Sequence, residues 1–177
     1  WENILGLCLI NISMRGLHVT KQPAFAKPII EAFQTFLRTS PIGPKFFANV
    51  ARKETVSNIL KEAYHDSGAV TDELVDVILK PGMTEGASKV FLDFISYSGG
   101  PLPEDLLPQV SQGENATPTL MLWGEKDPWE KMEDGRKLYE KYANAGFTVL
   151  KGAGHCPMDE NPALVNPLMS EFIERYS

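Results

Sequence analysis

Apolar and polar positions follow three different rhythms along the chain. Residues 4–12 (Ile, Leu, Gly, Leu, Cys, Leu, Ile, Asn, Ile) are almost continuously apolar, which predicts a strand buried on both faces. From about residue 15 to residue 98 the period becomes helical. Ile29, Ile30, Phe33, Phe36 and Leu37 make an i, i+3/i+4, i+7 stripe within residues 24–37, and Val56, Ile59, Leu60, Ala63 and Tyr64 make a second. Thr71 reads as an N-cap with Asp72 and Glu73 in the first turn of a helix that carries Leu74, Val75, Ile78 and Leu79. Val90, Phe91, Phe94 and Ile95 form a fourth stripe, closed by Gly99-Gly100-Pro101. Stripes of this kind suit amphipathic helices on any core, so by themselves they assign no role.

After residue 118 short strands return. Thr119, Leu120, Met121, Leu122 and Trp123 follow Pro118 and stop at Gly124, which predicts a buried strand. Residues 147–150 predict another, ending in the turn Lys151-Gly152-Ala153-Gly154. Between them, residues 130–143 are long enough for a right-handed crossover helix, so the strands are expected to be parallel. Asp127 then sits in a turn at the carboxyl end of the first strand, where Pro128 disfavours helical geometry at Asp127. His155 follows the turn after the second strand, and Pro157 is expected to keep the next residues out of a regular helix. Functional groups in open α/β sheets gather beyond the carboxyl ends of strands. Asp127 and His155, 28 positions apart, are therefore expected on one rim.

Such a pair has a chemical use. An imidazole can take a proton from a hydroxyl nucleophile near neutral pH, and a carboxylate on its other nitrogen fixes the tautomer and stabilises the imidazolium. An aspartate after a strand commonly serves only as a turn former, and a histidine is commonly a satisfied core or surface residue. Occurring together, in this order and after these strands, Asp127 and His155 are the candidate catalytic residues. Trp129 either lines the entrance or packs the turn against the next helix; with Phe94 it is a candidate for substrate contact.

Composition and charge narrow the classes. The chain has 177 residues, 43% of them hydrophobic, which suits about one globular domain. No apolar run approaches a membrane span of about 18 residues. Cys8 and Cys156 have neither disulfide nor metal-ligand spacing, and His18 and His65 form no metal motif with His155, so no metal or organic cofactor is expected. Cys8 reads as a small buried hydrophobe and Cys156 as a neighbour of the site rather than its nucleophile. Residues 15–61 hold eight Lys or Arg against two acids, a net of +6 in a chain whose total is −6. A basic region of this kind favours peripheral contact with an anionic membrane surface, or is a solvated face. The basic residues lack the aromatic interleaving of a nucleic-acid groove, so no nucleic-acid partner is expected.

The motifs G-E-K-D-P-W and G-A-G-H-C-P-M-D-E-N-P resemble the acid and histidine motifs of the α/β-hydrolase fold, whose triad runs nucleophile, acid, histidine. The stretches H-D-S-G-A-V-T-D-E-L-V and Y-S-G-G-P-L-P-E-D-L-L-P resemble the plant, algal and cyanobacterial branch that includes pheophytinase and chlorophyll dephytylase. That resemblance spans essentially the whole chain and implies the C-terminal half of such a protein. The nucleophile elbow G-x-S-x-G is absent from the 177 residues; Ser67 and Ser98 stand nearest, and neither follows a glycine and a strand as an elbow requires. The chain opens at Trp1 inside an apolar run, and a preceding half is expected to supply the serine and the oxyanion hole. The implied division is residues 1–14 as a core strand, 15–100 as a helical cap, and 101–177 as the core carrying acid and histidine. The implied activity is carboxylic ester hydrolysis of a bulky apolar small molecule, such as a phytyl ester of a chlorophyll derivative, in a plastid, or otherwise in the cytoplasm. An aspartate nucleophile would instead give haloalkane dehalogenase or epoxide hydrolase chemistry, and an elbow with no nucleophile would give a ligand-binding protein. The chain alone is expected to be inactive and prone to aggregate through its first strand.

Overall fold

The computed structural model describes residues 4–16, 18–97 and 99–177. By internal contacts it divides into two compact units, one of residues 1–14, 61–69 and 101–177, the other of residues 15–60 and 70–100.

The first unit is built on three parallel strands, β1 (Leu7–Ile10), β2 (Thr119–Gly124) and β3 (Gly146–Leu150), in the order β1-β2-β3. Register aligns Leu7 with Thr119 and Leu120 with Gly146. Parallel neighbours need crossover connections, and between β2 and β3 this is helix α7 (Met132–Tyr139) with a 3-10 turn, Glu140–Tyr142. Alternation along β2 sends Met121 and Trp123 to one face and Leu120 and Leu122 to the other. On the first face they pack with Leu107 of α6 (Pro103–Ser111), Tyr139 of α7 and Tyr142. On the second they pack with Leu150, Ala153 and Val165 of α9 (Pro162–Tyr176). Covered on both faces and paired on both edges, β2 is buried along its whole length.

The strand expected over residues 4–12 is shorter, and it is half-buried rather than fully buried. It is hydrogen-bonded to β2 alone, which leaves its other edge unpaired among the described residues. Pro157, expected to prevent a helix, instead opens the short α8 (Pro157–Glu160). At the first helical position a missing N–H costs nothing.

The second unit holds α1 (Lys27–Thr39), α2 (Ile42–Val50), the body of α3 (Lys53–Ala63), α4 (Asp72–Leu79) and α5 (Ala87–Ile95). Thr71 caps α4 as expected, its hydroxyl accepting the Leu74 N–H at 3.1 Å. Phe91 of α5 packs against Phe47 of α2 with ring centroids 5.3 Å apart. The chain's entry to and exit from this unit are stitched together: His18 Nε2 donates to the Gly100 carbonyl at 2.8 Å, and Arg15 lies over the Tyr97 ring.

Gly135 in α7 is where the indole of Trp123 abuts the helix, and a β-carbon there would stand 2.7 Å from the ring's Cε2. Alanine for glycine in a helix ordinarily stabilises by about 1 kcal/mol, whereas overpacking a core costs about 1–3 kcal/mol. The indole is fully buried and has nowhere to retreat. Gly135→Ala is therefore expected to lower stability by about 1 kcal/mol or more, read as a reduced denaturant midpoint at unchanged slope; a raised midpoint would show that the ring can move.

Candidate active site

Two turns at the carboxyl ends of β2 and β3 carry the candidate acid and histidine, and the backbone brings them together before any side chain does. Leu150 O accepts the Glu125 N–H at 3.0 Å and Ala153 O accepts the Lys126 N–H at 2.9 Å. So close an approach requires glycine: a β-carbon on Gly124 would overlap the Gly154 carbonyl, and one on Gly154 would stand 2.6 Å from the His65 nitrogen.

Asp127 is buried, its side chain fully so, and its two oxygens have separate tasks. Oδ1 accepts the backbone N–H groups of Trp129 and Glu130, each at 2.9 Å, which closes the turn. Oδ2 faces His155 Nδ1 at 2.8 Å. Because ionised Asp127 can only accept, Nδ1 carries the proton and Nε2 presents its lone pair. Nε2 has no hydrogen-bond partner among the described residues, and the ring keeps 24% of its surface exposed. One nitrogen is held and the other is left available.

The imidazole is further braced by its own backbone and by Trp129. His155 N–H donates to the Ala63 carbonyl at 2.8 Å, at the end of α3. The Trp129 ring lies against the imidazole with centroids 4.8 Å apart and donates Nε1–H to Glu62 at 3.0 Å. Trp129, still 45% exposed, thus touches the candidate base directly.

Phe94 lies in the other unit, where it is 78% exposed and lines an apolar cavity of about 630 Å³ with Phe47, Val56, Ile78, Val90 and Phe91. Ser67 is an exposed residue opening a 3-10 turn, and Ser98 lies outside the described residues. Among the described residues no serine hydroxyl or cysteine thiol hydrogen-bonds the His155 ring, and no group of three His, Cys, Asp or Glu is placed to hold a metal ion.

Sequence reasoning missed Asn11, counted within an apolar strand, Ala63 and Glu160, which hold the backbone of the histidine loop, and Glu62, which accepts from the Trp129 indole. A lone asparagine in an apolar run is itself a signal, since a buried amide needs partners.

No family model matches the chain. It is 29% identical over 126 residues to chloroplastic pheophytinase of Arabidopsis thaliana, covering 71% of this chain and 26% of that protein. It is also 29% identical over 122 residues to the uncharacterised hydrolase YugF of Bacillus subtilis, covering 69% of this chain and 43% of that one. Among solved structures, a thermophilic esterase from Thermogutta terrifontis superposes with a TM-score of 0.61 at 22% identity, over 98% of this chain and 57% of its own. The chain shares the α/β-hydrolase fold and is similar in sequence to proteins named as hydrolases. Its alignments span between about a quarter and a half of the curated relatives' length.

Cys156 stands next to the histidine in the chain. Burial raises its thiol pKa, and Asp159, Asp127 and Glu160 add to the rise. A raised value means less thiolate at neutral pH, so the thiol is a poor nucleophile there. Alkylation of Cys156 by iodoacetamide, followed by peptide mass spectrometry, is expected to be slow at pH 7.5 and to accelerate above the ordinary thiol range near pH 9. Rapid labelling at pH 7.5 would contradict the burial argument.

Proposed function

We propose that this chain carries the acid and the base of a carboxylic ester hydrolase, with Asp127 orienting His155 and the nucleophilic serine contributed by polypeptide outside these 177 residues. The observation that carries the reading is the Asp127–His155 hydrogen bond of 2.8 Å, which leaves Nε2 available at the carboxyl rim of a parallel sheet. Similarity to named hydrolases and the shared α/β-hydrolase fold support it.

In this mechanism His155 Nε2 takes the serine proton as the hydroxyl attacks the ester carbonyl. Asp127 stabilises the imidazolium through Nδ1–H, and the imidazolium returns its proton to the departing alcohol. Water activated by the same nitrogen then clears the acyl-enzyme. Held by two backbone N–H groups on Oδ1, Asp127 meets the changing charge on the ring without having to move.

The substrate in this reading is a bulky apolar ester, such as a phytyl ester of a chlorophyll derivative, hydrolysed in a plastid. Support comes from the similarity to chloroplastic pheophytinase. The apolar cavity of the helical unit supports it too, because its volume of about 630 Å³ falls within the common range for small-molecule sites. Trp129 and Phe94 are the proposed substrate contacts, and residues 15–100 the proposed cap, apart from the 61–69 segment that packs with the sheet.

In the full-length protein Asp127→Asn or His155→Ala is expected to cut kcat for an activated apolar ester by about 10,000-fold, with KM changed far less. Undiminished turnover in either variant would sink the assignment. Halide release from a chloroalkane, or diol from an epoxide, with no ester turnover, would move the chemistry to an aspartate nucleophile.

A peripheral membrane contact is the second part of the proposal, supported by α1. This helix buries no residue, and Ile29, Phe33 and Phe36 stand exposed along it, beside Lys27 and Arg38. Apolar side chains flanked by cations suit an anionic bilayer surface. Sedimentation with vesicles containing anionic lipid is expected to exceed that with neutral vesicles several-fold and to fall in Phe33→Ser; equal sedimentation would remove the idea.

A further inference from the structure

We infer that Asn11 is a positioning residue for the Asp127–His155 pair, an inference that rests on the proposed hydrolase reading. Asn11 follows β1 directly and is 6% exposed. Its backbone takes the left-handed conformation, φ 43°, which asparagine tolerates better than other residues with a β-carbon. A buried amide must satisfy both ends, and this one does so across two turns. Its Oδ1 accepts the Gly124 N–H at 2.7 Å, three residues before Asp127. Its Nδ2 donates to the Gly154 carbonyl at 2.9 Å and to the His155 carbonyl at 2.8 Å. The amide's orientation is fixed by these neighbours, since an N–H stands on one side and two carbonyls on the other.

One side chain therefore spans the gap between the turn that bears the acid and the loop that bears the base. The two remaining polar groups of the Gly154-His155 backbone are held by other partners. Glu160 Oε2 accepts the Gly154 N–H at 2.8 Å while its Oε1 accepts the Asp66 N–H at 2.9 Å, and the Ala63 carbonyl accepts the His155 N–H at 2.8 Å. Asn11 alone among these partners also touches the strand end leading to Asp127. The single bond from Oδ2 to Nδ1 tolerates little change in that spacing, because hydrogen bonds weaken steeply with distance and angle. An aspartate at position 11 would keep the acceptor for Gly124 and set a carboxylate oxygen against two carbonyls, so only the asparagine joins both turns.

Asn11→Asp tests the donor specifically, and Asn11→Gly removes the side chain while keeping a residue content with φ 43°. The first readout needs no turnover: the His155 Nδ1–H proton, a downfield ¹H resonance in the folded protein, assigned by its loss in His155→Ala. It is expected to broaden or vanish in both Asn11 variants while dispersed methyl signals persist. The second readout is ester kinetics of the full-length protein, where kcat is expected to fall about 10- to 100-fold, the scale of a small misplacement of a reacting group, with KM within about twofold. An unchanged downfield signal in Asn11→Asp, or loss of the methyl dispersion in both variants, would overturn the inference, the latter by making Asn11 a residue of stability. A wild-type protein that shows the downfield signal but hydrolyses no ester would reject the hydrolase reading and leave the positioning result standing on the resonance.

Discussion

Everything that positions the candidate site hangs on β2. It is hydrogen-bonded along both edges and covered on both faces, so its carboxyl end has no freedom to shift without disturbing both neighbours. The packing that fixes it is asymmetric. One face is filled by large rings, Trp123, Tyr139 and Phe147, and the other by aliphatic side chains, Leu120, Leu122 and Leu150. Slipping a parallel strand by one residue would exchange these two sets. The register that puts Gly124 beside Leu150, and so the acid turn beside the histidine loop, is thereby held by burial far from either functional group.

Asp127 shows that a turn-forming role and its proposed catalytic role need not compete. A fully buried carboxylate costs several kcal/mol in lost hydration unless it is well bonded. Here Oδ1 is saturated by two backbone N–H groups of its own turn and Oδ2 by the imidazole. Charge-assisted bonds of this kind are worth about 1.5–3 kcal/mol each, enough together to offset the desolvation. The local turn is thus what makes a buried, fixed acceptor available to the histidine.

Much of this was legible from periodicity and turn residues. The strands around Leu122 and Val149, the crossover between them, the N-cap at Thr71 and the meeting of Asp127 with His155 all follow from local patterns that the tertiary structure does not override. What escaped is non-local or weakly periodic. Helix α2 has Gly43 and Pro44 in its first turn, and α9 carries Pro167, so neither advertises a clean stripe. Burial of β1 was overestimated because apolar content reports what a strand could bury, whereas its neighbours decide what it does bury. Asn11, Ala63 and Glu160 act through bonds to partners distant in the chain or to backbone atoms, which no spacing rule encodes.

Different physics holds the surroundings of the histidine and the interior of the helical unit, and this bears on which parts can vary. Around the histidine, directional bonds dominate: Asn11, Glu160 and the carbonyl of Ala63 each meet a particular backbone atom, and an isosteric change of charge or donor leaves something buried and unpaired. Within the helical unit, contacts such as Phe47 with Phe91 are non-directional, and apolar side chains of similar volume can replace one another at a cost below about 1.5 kcal/mol. A chain built this way can change the lining of its apolar cavity through many single substitutions without loosening the Asp127–His155 pair. In the proposed hydrolase, substrate choice could therefore drift while proton transfer stayed fixed, provided that the groups joining the two turns were left alone.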